Sequence, residues 1–199
     1  MRITADAKAA TRRRILETAG SLFRSQGFDQ TTTRDMAHAA GIAAGTLFNY
    51  FPSKESLVLT LAAEALEKAD GDHRRADALE EDLFAYIAAG LRRLKPLRSF
   101  IRPALETALS PLAKTSGNEL AEALRISHLE RVGRMFGEHG VADPPATALS
   151  LYWTLYTGAL AFWADDTSPK QEDTWAMLDQ SLAMYVGWLH PPAATSTGR

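Results

Sequence analysis

Apolar residues recur at steps of three and four along almost the whole chain, the period of an α-helix, and no stretch alternates as a strand would. The pattern predicts an all-α protein of about nine helices. The first runs from about 9 to 26, with Ile15, Ala19, Leu22 and Phe23 on one face. Gly27 suits the left-handed position after its last turn, and Phe28 can fold back onto that turn. Thr32 and Asp35 make a T-x-x-D capping box for a short second helix. Its Met36, Ala37 and Ala40 face inward, and Gly41 ends it. A third short helix runs from about Ala44 to Phe51 and stops before Pro52. Ser53 caps a fourth, to about Asp70, with Glu55 in its first turn, where the helix dipole favours a negative charge.

The polar stretch 70–75 (DGDHRR) is the expected boundary between a head and a larger body. The body reads as five more helices. One spans about 76–94 with the stripe Leu79, Leu83, Ile87, Leu91 and Leu94. The next spans about 97–112, and Pro103 should kink or restart it. Another spans about 117–138. Pro144 and Pro145 open the eighth, to about Ala164. Ser168, Pro169 and Gln171 offer a cap, a first-turn proline and a box partner for the ninth, to about Leu189. The expected division is a head over 1–55 continuing into a connecting helix to about 70, a helical body over 71–190 and a disordered tail over 191–199.

Composition narrows the class. The chain has 199 residues and no cysteine, which excludes disulfides and thiolate metal sites. Its N-terminus lacks the apolar run of a signal peptide, and its longest apolar stretch, 149–164, is shorter than the roughly 20 residues a membrane span needs. A cytoplasmic protein with no membrane partner is expected. The net charge of −2 alone argues against nucleic acid, but charge is unevenly placed. Through Glu55 there are 8 basic and 5 acidic residues; the rest has 14 and 19. A mildly basic head on an acidic body fits a phosphate-facing end.

Residues 32–54 carry the chemistry. Two short helices joined at Gly41 have the form of a helix-turn-helix, whose second helix enters the DNA major groove. Thr46, Asn49 and Tyr50 can hydrogen-bond, and asparagine can read adenine bidentately. Lys54 and the first turns of the second and fourth helices can meet phosphate.

The motifs Gly27-Phe28, Thr32 to Ala37, Ala40-Gly41-Ile42, Gly45-Thr46-Leu47-Phe48 and Tyr50 to Glu55 closely resemble the DNA-binding head of the tetracycline-repressor (TetR) family. The resemblance implies a homodimer whose last two helices form a four-helix interface, a ligand pocket in the body, and repression relieved by a small molecule. It places Thr33, Gly45, Phe48, Asn49, Tyr50 and Lys54 where relatives touch DNA. Thr32, Arg34, Ala43, Ala44 and Thr46 complete the candidate DNA surface. Two departures stand out. Phe48 replaces the family's usual tyrosine, removing a hydroxyl, and Ala43 and Ala44 replace a serine and a polar residue. The third helix thus lacks a side-chain cap, and its apolar face can instead meet thymine methyls. Arg12, Arg13 and Arg14 read equally well as an arm on the DNA backbone or as a solvated basic face.

Phe84, Phe100, Phe136, Tyr152, Trp153 and Tyr156 suggest an apolar or aromatic effector. His128, on the stripe Leu124, His128, Val132, Met135, reads first as a hydrogen-bonded core histidine and second as a polar hook in the ligand pocket. The eighth helix is apolar nearly all round, and the ninth has two apolar faces. One ninth-helix face holds Trp175, Leu178, Leu182, Tyr185 and Leu189, the other Met177, Met184 and Trp188. The candidate dimer residues are Gly158, Ala161, Phe162, Leu178, Leu182, Tyr185 and Trp188. Asp70, Asp72 and His73 read as a solvated turn rather than a metal site, and Asp165 and Asp166 as a loop between helices. No cofactor or metal is expected. Two other readings stay open, a small all-helical enzyme and a structural bundle with a vestigial helix-turn-helix. Neither a nucleophile elbow, a phosphate loop nor HExxH is present.

Overall fold

The computed structural model describes residues 4–109 and 118–189, and every regular element among them is helical. The order is α1 (Ala5–Gln26), α2 (Thr33–Ala39), α3 (Ala44–Tyr50), α4 (Lys54–Asp72), α5 (Leu79–Leu94), a 3₁₀ segment (Lys95–Phe100), α6 (Arg102–Leu109), α7 (Asn118–Glu138), α8 (Ala148–Asp165), a 3₁₀ turn (Pro169–Gln171) and α9 (Glu172–Leu189). The tail 191–199 lies outside the described residues. Among the described residues, those up to Lys68 together with Arg93–Leu109 and Asn118–Leu124 form one compact unit; Ala69–Arg92 together with Arg125–Leu189 form a second. The first unit therefore takes in a later segment that chain order alone assigned to the body.

The local signals in the first unit act as expected. Thr32 accepts the Asp35 backbone N–H (3.1 Å) while the Asp35 carboxylate accepts the Thr32 backbone N–H (3.0 Å), both halves of a capping box. Hydrogen bonds from Thr32 hold the Asp35 carboxyl below its ordinary value. Gly41 turns the chain with φ 63°, a conformation a Cβ would disfavour. Ser53 Oγ accepts the Ser56 N–H, and Ser56 Oγ accepts the Ser53 N–H, capping α4 (both 3.2 Å). Ile15, Ala19 and Phe23 of α1, Met36 and Ala37 of α2, Leu47 of α3 and Leu57 and Val58 of α4 are buried in the core. Phe100 of the 3₁₀ segment joins them, its ring 5.3 Å from that of Phe23.

Several boundaries move for identifiable reasons. α1 begins earlier than its hydrophobic period indicates, because Thr4 accepts the Ala7 N–H (3.3 Å) and caps it there. Pro103 restarts rather than kinks its helix, since α6 opens one residue before it, where its missing N–H is not needed. Pro144 and Pro145 precede α8 instead of opening it. Gln171 cannot be a box partner for α9, as it sits in the 3₁₀ turn with φ 60°. Asp166 and Ser168 do that work: Asp166 Oδ2 accepts the Thr174 N–H (3.0 Å), and Ser168 Oγ accepts the Asp173 N–H (3.1 Å). Hydrogen bonds from Ser168 and Thr174 hold the Asp166 carboxyl well below the usual range.

The second unit has a polar knot in its interior. Asp82, in the first turn of α5, is fully buried. It accepts hydrogen bonds from His73 Nε2 (2.8 Å), His139 Nε2 (2.8 Å) and the Ala76 N–H (3.1 Å). Burial pushes its carboxyl up, but these donors outweigh burial and hold it below the ordinary value. Arg131, which can only donate, reaches His73 Nδ1 (3.2 Å) and so fixes the tautomer with its proton on Nε2. The expected solvated turn at 70–73 is thus corrected: α4 continues to Asp72, and His73 is buried.

Candidate functional site

α3 presents one outward face. Ala43, Ala44, Gly45, Phe48 and Asn49 are exposed, Thr46 and Tyr50 are half-buried, and Leu47 is buried beneath them. Phe48 is 49% exposed, so it is not a core residue of the chain itself. Helical spacing sets Ala44 one turn from Phe48 and Gly45 one turn from Asn49, so an apolar strip lies beside a polar one. No residue of this face is charged. Ala43 makes no side-chain cap, as its sequence requires. A Cβ at Gly45 would meet nothing within 4 Å, and its backbone is not in the left-handed region. Glycine costs a helix about 1 kcal/mol relative to alanine. Neither conformation nor internal packing calls for glycine at this position.

Around α3, Thr32 and Arg34 are exposed and Thr33 is half-buried at the start of α2. Arg12 pairs with Glu64 (3.1 Å) and lies 5.4 Å from the centre of the Phe51 ring, so it braces the unit; Arg13 and Arg14 are exposed. Lys54 departs from expectation. Its Nζ donates to the backbone carbonyls of Phe28 (2.8 Å) and Thr31 (3.1 Å) and sits 4.3 Å from the centre of the Phe28 ring.

In the second unit, His128 joins a cluster of aromatic rings. It stacks on Tyr156 with centroids 4.1 Å apart and lies near Tyr152 and Trp153 (5.6 and 5.8 Å). Its Nδ1 is 3.4 Å from the Tyr86 hydroxyl and its Nε2 3.1 Å from that of Tyr152. Burial, with the nearby charge of Asp70, pushes the Tyr86 hydroxyl well up. A neutral imidazole has one N–H donor and one bare acceptor nitrogen, so one of these two hydroxyls accepts from His128 and the other donates to it.

Burial also lowers the His128 imidazole from 6.5 to about 3. Between those values the unfolded chain takes up a proton that the folded chain refuses. Stability should therefore be complete above the unfolded value and fall as pH drops through the window, by up to about 1.4 kcal/mol per pH unit. Thermal melts should show a smaller loss between about pH 7 and about pH 4 for His128→Gln than for the natural chain.

The family model of "Bacterial regulatory proteins, tetR family" matches residues 15–61, which run from the middle of α1 into the first half of α4. The HTH-type transcriptional repressor Rv1474c of Mycobacterium tuberculosis is 36% identical over 180 residues, covering 85% of this chain and 91% of that protein. The chain belongs to the TetR family. The repressor KstR2 of Rhodococcus jostii is 38% identical over 82 residues, 41% of this chain, and the chain spans only 40% of that relative's length. In fold, the TetR-family repressor FadR of Thermus thermophilus, in complex with lauroyl-CoA, superposes with a TM-score of 0.68 at 23% identity, covering 94% of this chain and 100% of that one. Both of these sequence relatives are named as transcriptional repressors.

Among the residues chosen for a TetR-type effector pocket, the structure brings together His128, Tyr152, Trp153 and Tyr156. The other three have different ring neighbours, although Phe136 reaches the cluster through Tyr185, whose ring is 6.1 Å from that of Tyr152. Phe100 packs on Phe23 in the first unit, Phe136 lies beside Tyr185 (6.4 Å), and Phe84 lies beside Trp175 (6.1 Å) at a cavity of about 150 Å³. Tyr86 was missed, although it shares a face with Leu79 and Leu83, because the α5 stripe was counted on aliphatic residues. The dimer candidates divide likewise. Leu178, Leu182 and Tyr185 are buried within the chain's own second unit, where the Tyr185 hydroxyl donates to the Ala148 carbonyl (2.8 Å). Little of their surface is left for a partner. Gly158, Ala161, Phe162 and Trp188 are exposed.

Proposed function

We propose that this TetR-family protein is a transcriptional repressor that binds a palindromic operator as a homodimer and is released by a small apolar or aromatic effector. The observation that carries the reading is the outward face of α3, exposed, uncharged and furnished with Asn49 and Phe48. Two such helices on a symmetric dimer would enter successive major grooves about 34 Å apart. Ala43, Ala44, Gly45, Thr46, Phe48, Asn49 and Tyr50 would meet bases and sugar–phosphate, with Thr32, Thr33 and Arg34 at the flank. A protein working on operator DNA acts in the cytoplasm. The test is binding to the DNA upstream of its own gene. Affinity should fall steeply with salt, and protection should cover two half-sites. Absence of any sequence preference at about 150 mM salt would defeat the reading.

Support for the dimer comes from the exposed sides of α8 and α9. Leu151 (47% exposed) and Phe162 (44%) on α8, and Met184 (75%) and Trp188 (42%) on α9, form apolar stripes at helical spacing. Monomeric proteins rarely leave such patches in water. The double substitution Met184→Glu and Trp188→Glu should give a monomer by sedimentation and lose operator binding, while helical content is kept. The aromatic cluster around His128 supports an effector in the second unit. That effector shifts the protein only by its difference in affinity between the DNA-competent arrangement and another.

A further inference from the structure

Lys54 is the first residue of α4, where the helix dipole disfavours a cation. The side chain must therefore be compensated elsewhere, and the structure shows where. Its ammonium donates to the Phe28 and Thr31 carbonyls and lies against the face of the Phe28 ring. Both carbonyls belong to the connection between α1 and α2. That connection is itself closed: Thr31 is fully buried, and its hydroxyl donates to the Gly27 carbonyl (2.7 Å). Its next residue, Thr32, is the N-cap of α2. The bonds from Lys54 thus join the end of the α1–α2 connection to the start of α4 across 23 and 26 residues of sequence, and α2 and α3 are the helices enclosed between.

We propose that Lys54 is a positioning residue that closes the helix-turn-helix into a ring, fixing how α3 is presented, and is not a phosphate contact. The role rests on the operator-binding reading only for its effect on DNA; the closure itself exists without DNA. A lysine suits it better than an arginine. A compact ammonium can point separate N–H bonds at two carbonyls and still face a ring, whereas a guanidinium is a rigid planar fork.

The test is Lys54→Met, which keeps the length of the side chain and removes its charge. In DNA-free protein, amide exchange should quicken by at least about tenfold over residues 29–36, since two charge-assisted hydrogen bonds are lost. Operator affinity should fall by at least about tenfold. Operators carrying methylphosphonate at one position at a time separate this role from direct contact. Each neutralised phosphate should cost the variant the same fold-change as the natural protein. A phosphate whose neutralisation weakens the natural protein but not Lys54→Met would identify a direct contact and overturn the proposal. Unchanged exchange over 29–36 would overturn it as well. Failure of the natural protein itself to bind its operator would instead strike the operator reading, and would leave the exchange result to decide for or against the closure.

Discussion

Replacing Asn49 by alanine is expected to weaken operator binding by about 1–3 kcal/mol, roughly five- to more than a hundredfold, and to leave the melting temperature unchanged. Asn49 is exposed on α3 one turn beyond Gly45, so its amide faces outward past a position with no side chain. An amide there can pair with both the N6 donor and N7 acceptor of adenine; alanine can pair with neither. The loss should therefore be specific. Affinity for unrelated DNA should hold, because that affinity comes from phosphates. Anisotropy titrations on operator and scrambled duplexes, beside thermal melts, measure both halves. An Asn49→Ala variant that still discriminates the two duplexes as well as the natural protein would remove α3 from the reading surface.

The second large effect lies in the other unit. Asp82→Ala should destabilise that unit by about 3–5 kcal/mol, because it takes the shared acceptor from His73, His139 and the Ala76 N–H at once. Arg131 would then stand over a histidine whose opposite bond is gone. The same carboxylate sets an acid limit. Its folded-state value lies below the ordinary 3.8, so its contribution is complete above that value and is lost as pH falls through the lower one. Urea unfolding of the two proteins at neutral pH decides the point; a midpoint displaced by less than the equivalent of about 1 kcal/mol would show that the knot is dispensable.

The head was legible because its instructions are short-range. Thr32 and Asp35 are three residues apart, Gly41 acts on its own backbone, and Leu47 and Phe51 fall one turn apart on a short helix. Each of these can be judged within a window of a few residues. The knot was not legible: His139 stands 57 residues from Asp82, and no period connects one histidine to one carboxylate on different helices. His73 lies in a stretch so polar that its pattern points to solvent alone. α9 shows a third case. Its two apolar faces are visible in sequence, yet which one turns inward depends on what it meets, and here Tyr185 meets the Ala148 carbonyl. Lys54 was placed correctly on its helix, but the acceptors that occupy it belong to a loop more than twenty residues earlier.

The absence of ionised groups from the outer side of α3 bears on selectivity. Added electrolyte weakens attraction to every duplex alike, since it competes at the phosphates. It has little hold on contacts made by amide, hydroxyl and hydrocarbon. The ratio between operator and bulk chromosomal affinity should thus hold nearly constant as intracellular potassium rises, even while both affinities decline.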